Sequence, residues 1–204
     1  MNRLNLIANK RALVIVAHPD DETIWMGGTI RKQTDVLWTI FSLCRESDKD
    51  REPKFRRVCA YYKAECLIAD LDDEGKLDLN EAKEEAKKIL TVTLKENNYD
   101  YIFTHGTNGE YGHLLHIAVH KAVAELIKEE KLKPEAVFYF DYTKKGSKLI
   151  SGNKSLTVEL TKDEILKKKQ IVAEMYGYAP DGIDVGYCTN PEAFTRCVVK
   201  SKKL

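Results

Sequence analysis

The chain has 204 residues, of which 43% are hydrophobic and five are proline. This length and composition suffice for one compact domain with a sizeable core, so we expect residues 1–204 to form a single domain. The 33 Lys and Arg residues nearly balance the 32 Asp and Glu residues, which leaves a formal net charge of +1. The chain therefore has no large net charge that would favour binding to nucleic acid or to an acidic membrane surface, and its charge balance suits a small polar substrate better.

The sequence also indicates the cellular location of the protein and the state of its cysteines. No apolar run approaches the roughly 20 residues that span a bilayer, and residues 1–11 lack the pattern of a signal peptide. We therefore expect a cytoplasmic protein without a membrane span. The five cysteines are odd in number and form no C-x-x-C pair, which predicts reduced core residues.

Apolar strand-like runs alternate with amphipathic helical stretches along the chain, which is typical of a mainly parallel sheet with helices on both faces. The predicted strands are residues 13–17, 36–43, 66–69, 101–104 and 136–142, with later antiparallel or edge strands near residues 148–150, 156–160 and 194–199. The predicted helices are residues 23–34, 53–64, 80–97, 114–131 and 162–176. Thr161 and Glu164 form a capping box before the last helix. The predicted fold class is a doubly wound α/β fold.

Two polar clusters follow the first and fourth predicted strands. Residues 17–22 read A-H-P-D-D-E, and residues 104–116 read T-H-G-T-N-G-E-Y-G-H-L-L-H. In a doubly wound sheet the strand order reverses between strands of this kind and leaves a crevice at their carboxyl ends. We expect the two clusters to meet there.

The clustered residue types fit a catalytic metal site, because zinc takes three N or O ligands and keeps one position for water. His18 and Asp21 with one histidine of the second cluster supply such a set, and Asp20 then stays free to accept a proton from the water. His116 lies nearer the crevice than His120, so we favour it as the ligand and expect His120 to be structural. The alternative is that the acidic residues 20–22 only cap the following helix.

The two clusters resemble the LmbE-like or PIG-L family of zinc-dependent N-acetylglucosaminyl deacetylases. Residues 17–22 with the G-G-T of residues 27–29 resemble the first family motif, and the Y-G-H-L-L-H of residues 111–116 resembles the second. Shorter segments similar to one branch of the family are residues 53–58, 70–73, 104–111, 176–178 and 192–194. The resemblance spans nearly the whole chain and implies a Rossmann-like fold with zinc as cofactor.

The resemblance also implies roles for individual residues. The zinc ligands would be His18, Asp21 and His116. Asp20 would be the general base, while Tyr111 and His113 would stabilise the oxyanion and His113 would protonate the leaving amine. The chain departs from the usual second motif, which often reads H-P-D-H, because it has Leu115 where the acid would be. This substitution weakens the expected acid role of His113, and His105 and Glu110 are the alternative partners for it.

Arg45 and Arg51 follow the second predicted strand, where either can reach a sugar hydroxyl or an anionic group, the alternative being two solvated arginines. No G-x-G-x-x-G follows the first strand, which argues against a nucleotide-binding enzyme.

The sequence thus predicts a zinc-dependent hydrolase that removes the acetyl group from an N-acetylated amino sugar. The alternatives are an amidase for another amide and, because of Leu115, a non-catalytic metal-dependent binding protein. Other divalent transition metals suit the same donors. The oligomeric state, a homo-oligomer included, is left open.

Overall fold

The computed structural model describes residues 2–94, 98–146, 148–152 and 155–198. Its strands are Asn2–Arg3 (β1), Arg11–Val16 (β2), Leu37–Ser42 (β3), Glu65–Ile68 (β4), Tyr101–Thr104 (β5), Ala136–Phe140 (β6), Tyr142–Lys145 (β7), Lys148–Ser151 (β8), Leu156–Val158 (β9) and Glu192–Val198 (β10). Its α-helices are Asp21–Lys32 (α1), Arg51–Tyr62 (α2), Leu79–Thr93 (α3), Gly109–Gly112 (α4), Leu114–Lys128 (α5), Lys162–Gln170 (α6) and Ile183–Gly186 (α7), and a π-helix spans Ile171–Met175.

Eight strands form one sheet in the order β1-β9-β10-β6-β5-β2-β3-β4. Strand β2 pairs in parallel with β3 on one side and with β5 on the other, and β3–β4 and β5–β6 are also parallel. Strand β10 runs antiparallel to both β6 and β9, while β7 and β8 form a separate antiparallel hairpin. The chain therefore changes direction across the sheet between β2 and β5, and the predicted α/β fold class is confirmed.

Alternate residues of β2 face two different cores, which explains why this strand is a continuous apolar run. Val14 and Val16 pack into a core shared with α1, α2 and the π-helix. Leu13 and Ile15 pack into a second core on the opposite face, shared with α3 and α5. All four side chains are fully buried. The sheet is thus covered on both faces, and β2 lies in the middle of the fold.

Several predicted boundaries differ from the structure. Helix α1 begins at Asp21, two residues earlier than predicted, so Asp21 and Glu22 lie in its first turn and Asp20 is the N-cap residue. The predicted strand 136–142 is split at Asp141, because β6 belongs to the main sheet whereas β7 turns away into a hairpin with β8. The predicted helix 162–176 keeps its capping box but changes to a π-helix after Gln170. The predicted helix end at residue 97 and strand end at residue 199 lie outside the described residues.

The cysteines are free, but not all are core residues. Cys44, Cys59 and Cys188 are buried, whereas Cys66 is half-buried and Cys197 is exposed on β10. The prediction of a core position was wrong for Cys197, because the outer half of β10 has its side chains exposed. Of the described helices, none combines the length and the apolarity needed to cross a membrane.

A buried ion pair stabilises the second half of helix α1. The helix is interrupted at Met26, whose φ is −148°, so the N–H groups that follow need other acceptors. The carboxylate of Glu192 accepts the N–H of Gly28 at 2.8 Å and that of Thr29 at 2.6 Å. Lys168 Nζ lies 2.8 Å from the same carboxylate, and both side chains are fully buried. Glu192 therefore both caps the second half of α1 and neutralises Lys168.

We expect Glu192→Ala to lower the free energy of unfolding by about 3–5 kcal/mol, because it leaves a buried ammonium group without a counter-charge. Urea unfolding measures the change. Glu85→Ala, which breaks only the surface pair with Lys88, is the matched control and should change stability little. Equal losses in the two variants would contradict the capping role of Glu192.

Candidate active site

The loops that follow β2, β3, β4 and β5 open into a cavity of about 340 Å³ at one edge of the sheet. Its lining includes all but one of the site residues predicted from the sequence, namely His18, Asp20, Asp21, Arg45, Arg51, Tyr111 and His113. The remaining one, His116, is fully buried beside them. The two polar clusters therefore meet at the carboxyl ends of β2 and β5.

Asp21 lies at the centre of the histidine cluster. Its Oδ2 is 3.3 Å from His18 Nδ1 and 3.4 Å from His116 Nε2, while Oδ1 accepts a hydrogen bond from Trp25 Nε1 at 2.8 Å. Burial alone would disfavour its charge, but His116 and His105 beside it hold the pKa of the carboxyl well below its usual range. Asp21 is therefore an ionised oxygen donor that faces two imidazoles.

His116 is oriented by the carboxylate of Glu110. His116 Nδ1 lies 2.6 Å from Glu110 Oε2, and among the described residues its buried Nε2 has no hydrogen-bond partner. A histidine that ligates a metal usually donates its other ring N–H to a carboxylate in this way. The orphaned Nε2 beside an ionised Asp21 therefore fits a divalent metal, for which these residues supply N and O donors.

His105 is stacked on His116, with ring centroids 3.8 Å apart, but both of its nitrogens are engaged. Its Nε2 accepts the N–H of Ala17 at 3.0 Å, so Nδ1 carries the proton and donates to Glu110 at 2.9 Å. Burial and the neighbouring His116 lower the pKa of His105, which favours this neutral form. His105 is thus a supporting residue that sequence reasoning mentioned only as a partner for His113.

Glu110 accepts hydrogen bonds from three groups, since Gly106 N also donates to it at 2.7 Å. Burial disfavours its charge, yet His105 and His116 lower the pKa of Glu110 to about 2. Its φ of 59° is unusual for a residue with a side chain. The carboxylate is directed at His105 and His116, and the hypothesis that Glu110 replaces the missing acid beside His113 gains no support.

Two groups of three donors lie with their ligand atoms within 4.8 Å of one another at the base of the cavity. One is His18, His113 and His116, and the other is Asp21, His105 and His116. The predicted ligand set of His18, Asp21 and His116 takes members from both groups. Since His105 is already bonded through both nitrogens, it is the least available of these donors.

Asp20 is held by two donors from distant parts of the chain. Tyr178 donates its hydroxyl to Asp20 Oδ2, and Arg51 Nη1 donates to the same oxygen at 3.1 Å. The Arg51 guanidinium also lies over the Tyr178 ring, 4.6 Å from its centroid. Burial and the adjacent Asp21 raise the pKa of Asp20 well above its usual value. The φ of Asp20 is 123°, so its backbone is strained as well.

Arg45 and Arg51 both line the cavity, and both are paired with carboxylates. Arg45 Nε lies 2.5 Å from Asp73 Oδ2, and Arg45 Nη1 lies 3.3 Å from Asp48. Arg51 contacts Asp20 as described above. Their role in substrate binding stays a prediction, and Tyr178 is a site residue that the sequence indicated only through the similarity of residues 176–178.

Tyr111 and His113 form one wall of the cavity. The Tyr111 ring is stacked on Tyr187, with centroids 5.1 Å apart, and lies 5.7 Å from the His113 ring. His113 Nδ1 is buried and has no hydrogen-bond partner among the described residues. Burial and the nearby His116 lower the pKa of His113 to about 4. Leu115 is buried in the second core and does not face this wall.

We expect Glu110→Gln to weaken zinc affinity by about 10–100-fold, because a neutral amide holds the His116 ring less firmly in its metal-binding orientation. Competition with a chromophoric chelator measures the affinity. Glu125→Gln, on the outer surface of α5 between Lys83 and Lys87, is the matched control. Unchanged zinc affinity in Glu110→Gln would show that this carboxylate does not support the metal site.

Known proteins resemble the chain in both sequence and fold. A viral protein described as uncharacterized protein L374, from Acanthamoeba polyphaga mimivirus, is 26% identical over 172 residues, which cover 76% of this chain and 73% of the viral protein. The N,N'-diacetylchitobiose deacetylase from Pyrococcus horikoshii matches with a TM-score of 0.64 and 18% identity over 93% of this chain and 84% of that one. The A40926 pseudoaglycone deacetylase matches with a TM-score of 0.64 and 14% identity over 95% of this chain and 100% of that one.

The two structural likenesses show a shared fold. The family assignment comes from the sequence, because the family model described as PIG-L, GlcNAc-PI de-N-acetylase, matches residues 13–148. This match covers more than half of the chain and includes both polar clusters. The chain therefore belongs to the PIG-L family of N-deacetylase enzymes.

Proposed function

We propose that this protein is a zinc-dependent hydrolase that removes the acetyl group from an N-acetylated amino sugar and releases acetate and a free amine. The observation that carries the proposal is the meeting of Asp20, Asp21 and three histidines at the base of one polar cavity. Membership of a family of N-deacetylases supports the reaction. The chitobiose deacetylase that shares the fold supports an amino-sugar substrate.

In this proposal His18, Asp21 and His116 hold the zinc ion. Zinc, when bound, polarises the amide carbonyl and lowers the pKa of a water toward neutrality. Iron, cobalt or nickel suits the same nitrogen and oxygen donors. Glu110 keeps the His116 ring in place through Nδ1, and Trp25 holds the Asp21 carboxylate through its other oxygen.

Asp20 acts as the general base. It lies in the loop between β2 and α1, is adjacent to Asp21 and lines the cavity. Burial beside Asp21 raises its pKa, which makes its carboxylate a stronger proton acceptor than a solvated aspartate. Arg51 and Tyr178 fix the position of the accepting carboxylate and stabilise its charge.

Tyr111 and His113 act on the other side of the scissile amide. Their rings lie next to each other on the cavity wall, where an N–H and an O–H can stabilise an oxyanion. His113 also delivers the proton that the leaving amine needs. Since its pKa is lowered to about 4, the ring is neutral at rest and must take up this proton during the reaction. With Leu115 packed into the core, no carboxylate from that position supports His113, so its acid role rests on the histidine alone.

Two alternatives use the same residues. An amidase for a different amide would need the same zinc site and the same base, and only the cavity lining would differ. A non-catalytic metal-binding protein would keep the ligands and gain nothing from Asp20. A cytoplasmic location and a homo-oligomeric state stay predictions.

We expect the zinc-loaded protein to release acetate from N-acetylglucosamine-containing compounds. Asp20→Asn should lower kcat by about 10²–10⁴-fold, because the amide cannot accept the proton. Chelated protein should be inactive, and enzymatic assay of acetate measures both losses. Stoichiometric zinc binding with no acetate release across a broad panel of amino sugars and other amides would favour the binding-protein alternative.

We expect Tyr178→Phe to lower kcat by roughly tenfold to a hundredfold with little change in KM, because the Asp20 carboxylate loses one of the two side-chain hydrogen bonds that it accepts. Steady-state kinetics on the best amide substrate measures kcat and KM separately. Tyr61→Phe, at a partly exposed position on α2, is the matched control and should leave both constants unchanged. A raised KM with an unchanged kcat would instead assign Tyr178 to substrate binding.

A further inference from the structure

A third group of candidate metal-binding side chains shares His18 with the groups described above and adds two residues from the loops after β3 and β4. The ligand atoms of His18, Cys44 and Asp73 lie within 4.8 Å of one another. Together they offer one nitrogen, one sulfur and one oxygen, which is a donor set that zinc and cobalt accept. No sequence pattern indicated this group, because the three residues are 26 and 29 positions apart and follow three different strands.

The fold brings these three residues together for a simple reason. They follow β2, β3 and β4, which are parallel neighbours in the sheet, so their loops leave the same edge side by side. Cys44 is tied to the first cluster by its backbone, since its N–H donates to the Ala17 carbonyl at 3.0 Å. Its thiol is fully buried and forms no disulfide. The thiol position is therefore fixed relative to His18.

Ions from the solvent can reach this group through the cavity. His18 and Asp73 both line the cavity, and their side chains are 20% and 11% exposed. An ion that enters the cavity thus meets these two residues before it reaches the buried thiol. Asp73 Oδ2 is also the acceptor of Arg45 Nε, so a metal would share this carboxylate with a guanidinium. The positive guanidinium offsets part of the carboxylate charge and repels a cation, which makes the group a weaker metal site than one whose carboxylate is unshared.

We propose that Cys44, Asp73 and His18 form a second metal site, for a divalent ion such as Zn²⁺, that fills after the first site and competes with it for His18. On binding, the Cys44 thiol loses its proton to solvent and the thiolate electron pair forms the bond to the metal. The existence of this site is independent of the catalytic proposal. The order of filling and the competition for His18 rest on the proposed function, and the competition makes excess zinc an inhibitor.

Cobalt titration of the purified, metal-free protein tests the site directly, because a thiolate bound to Co²⁺ gives a sulfur-to-metal charge-transfer band in the near ultraviolet. We expect the first equivalent of Co²⁺ to add only the visible bands of a nitrogen and oxygen site, and further Co²⁺ to add the charge-transfer band. Cys44→Ala should abolish this band. Cys66→Ala and Cys197→Ala, which remove the half-buried and the exposed thiol, are the matched controls and should retain it.

Absence of the band at a several-fold excess of cobalt, or its persistence in folded Cys44→Ala, would overturn the proposal. If Cys44→Ala does not fold, Asp73→Asn keeps the thiol and should move the band to higher cobalt concentration, and an unmoved band would count against the site. A separate measurement addresses the competition. Excess zinc should inhibit acetate release by the natural protein more than by Cys44→Ala, whereas a protein without any acetate release refutes the proposed function and leaves the cobalt result standing.

Discussion

The buried carboxylate of Glu110 accepts hydrogen bonds from His105 and His116 at once, and through them it joins the two polar clusters. His105 accepts the N–H of Ala17, which follows β2. His116 Nε2 lies beside the Asp21 carboxylate at the start of α1. In a low-dielectric interior such charge-assisted bonds are strong, and loss of one partner leaves the others buried without compensation. The orientation of His116, a predicted metal ligand, therefore depends on a residue outside the ligand set.

Backbone strain occurs at two acidic residues of the site, the predicted base and the carboxylate that holds the histidines. Asp20 and Glu110 both have positive φ, which costs about 1–3 kcal/mol for a residue with a side chain. Each is held there by several side-chain contacts, from Tyr178 and Arg51 in one case and from the two histidines in the other. Strain that is retained at this edge of the sheet, while β2 behind it is regular, is what a site built for a fixed geometry requires.

The sequence was most informative where the determinants are local. The apolar run of β2, the capping box at Thr161 and the order of the polar clusters all follow from neighbours in the chain, and the parallel sheet places the clusters together. The contact between Tyr178 and Asp20 joins residues 158 positions apart, and the contact between Glu192 and Gly28 joins residues 164 apart. No periodicity or spacing encodes such pairs, because they depend on how α6 and β10 pack against α1.

Leu115 shows how helix geometry decides between a site residue and a core residue. Successive residues on an α-helix are turned by about 100°, so Leu115 and His116 cannot face the same side of α5. In this fold His116 faces Asp21 and Glu110 beneath the cavity, and Leu115 packs into the second core beside β2 and α3. An aspartate at this position would be a carboxylate next to apolar side chains, and its burial would need a partner that the core residues do not supply. Leucine at this position therefore suits the core better than the aspartate of the usual motif, and the proposed mechanism assigns the proton transfers to Asp20 and His113.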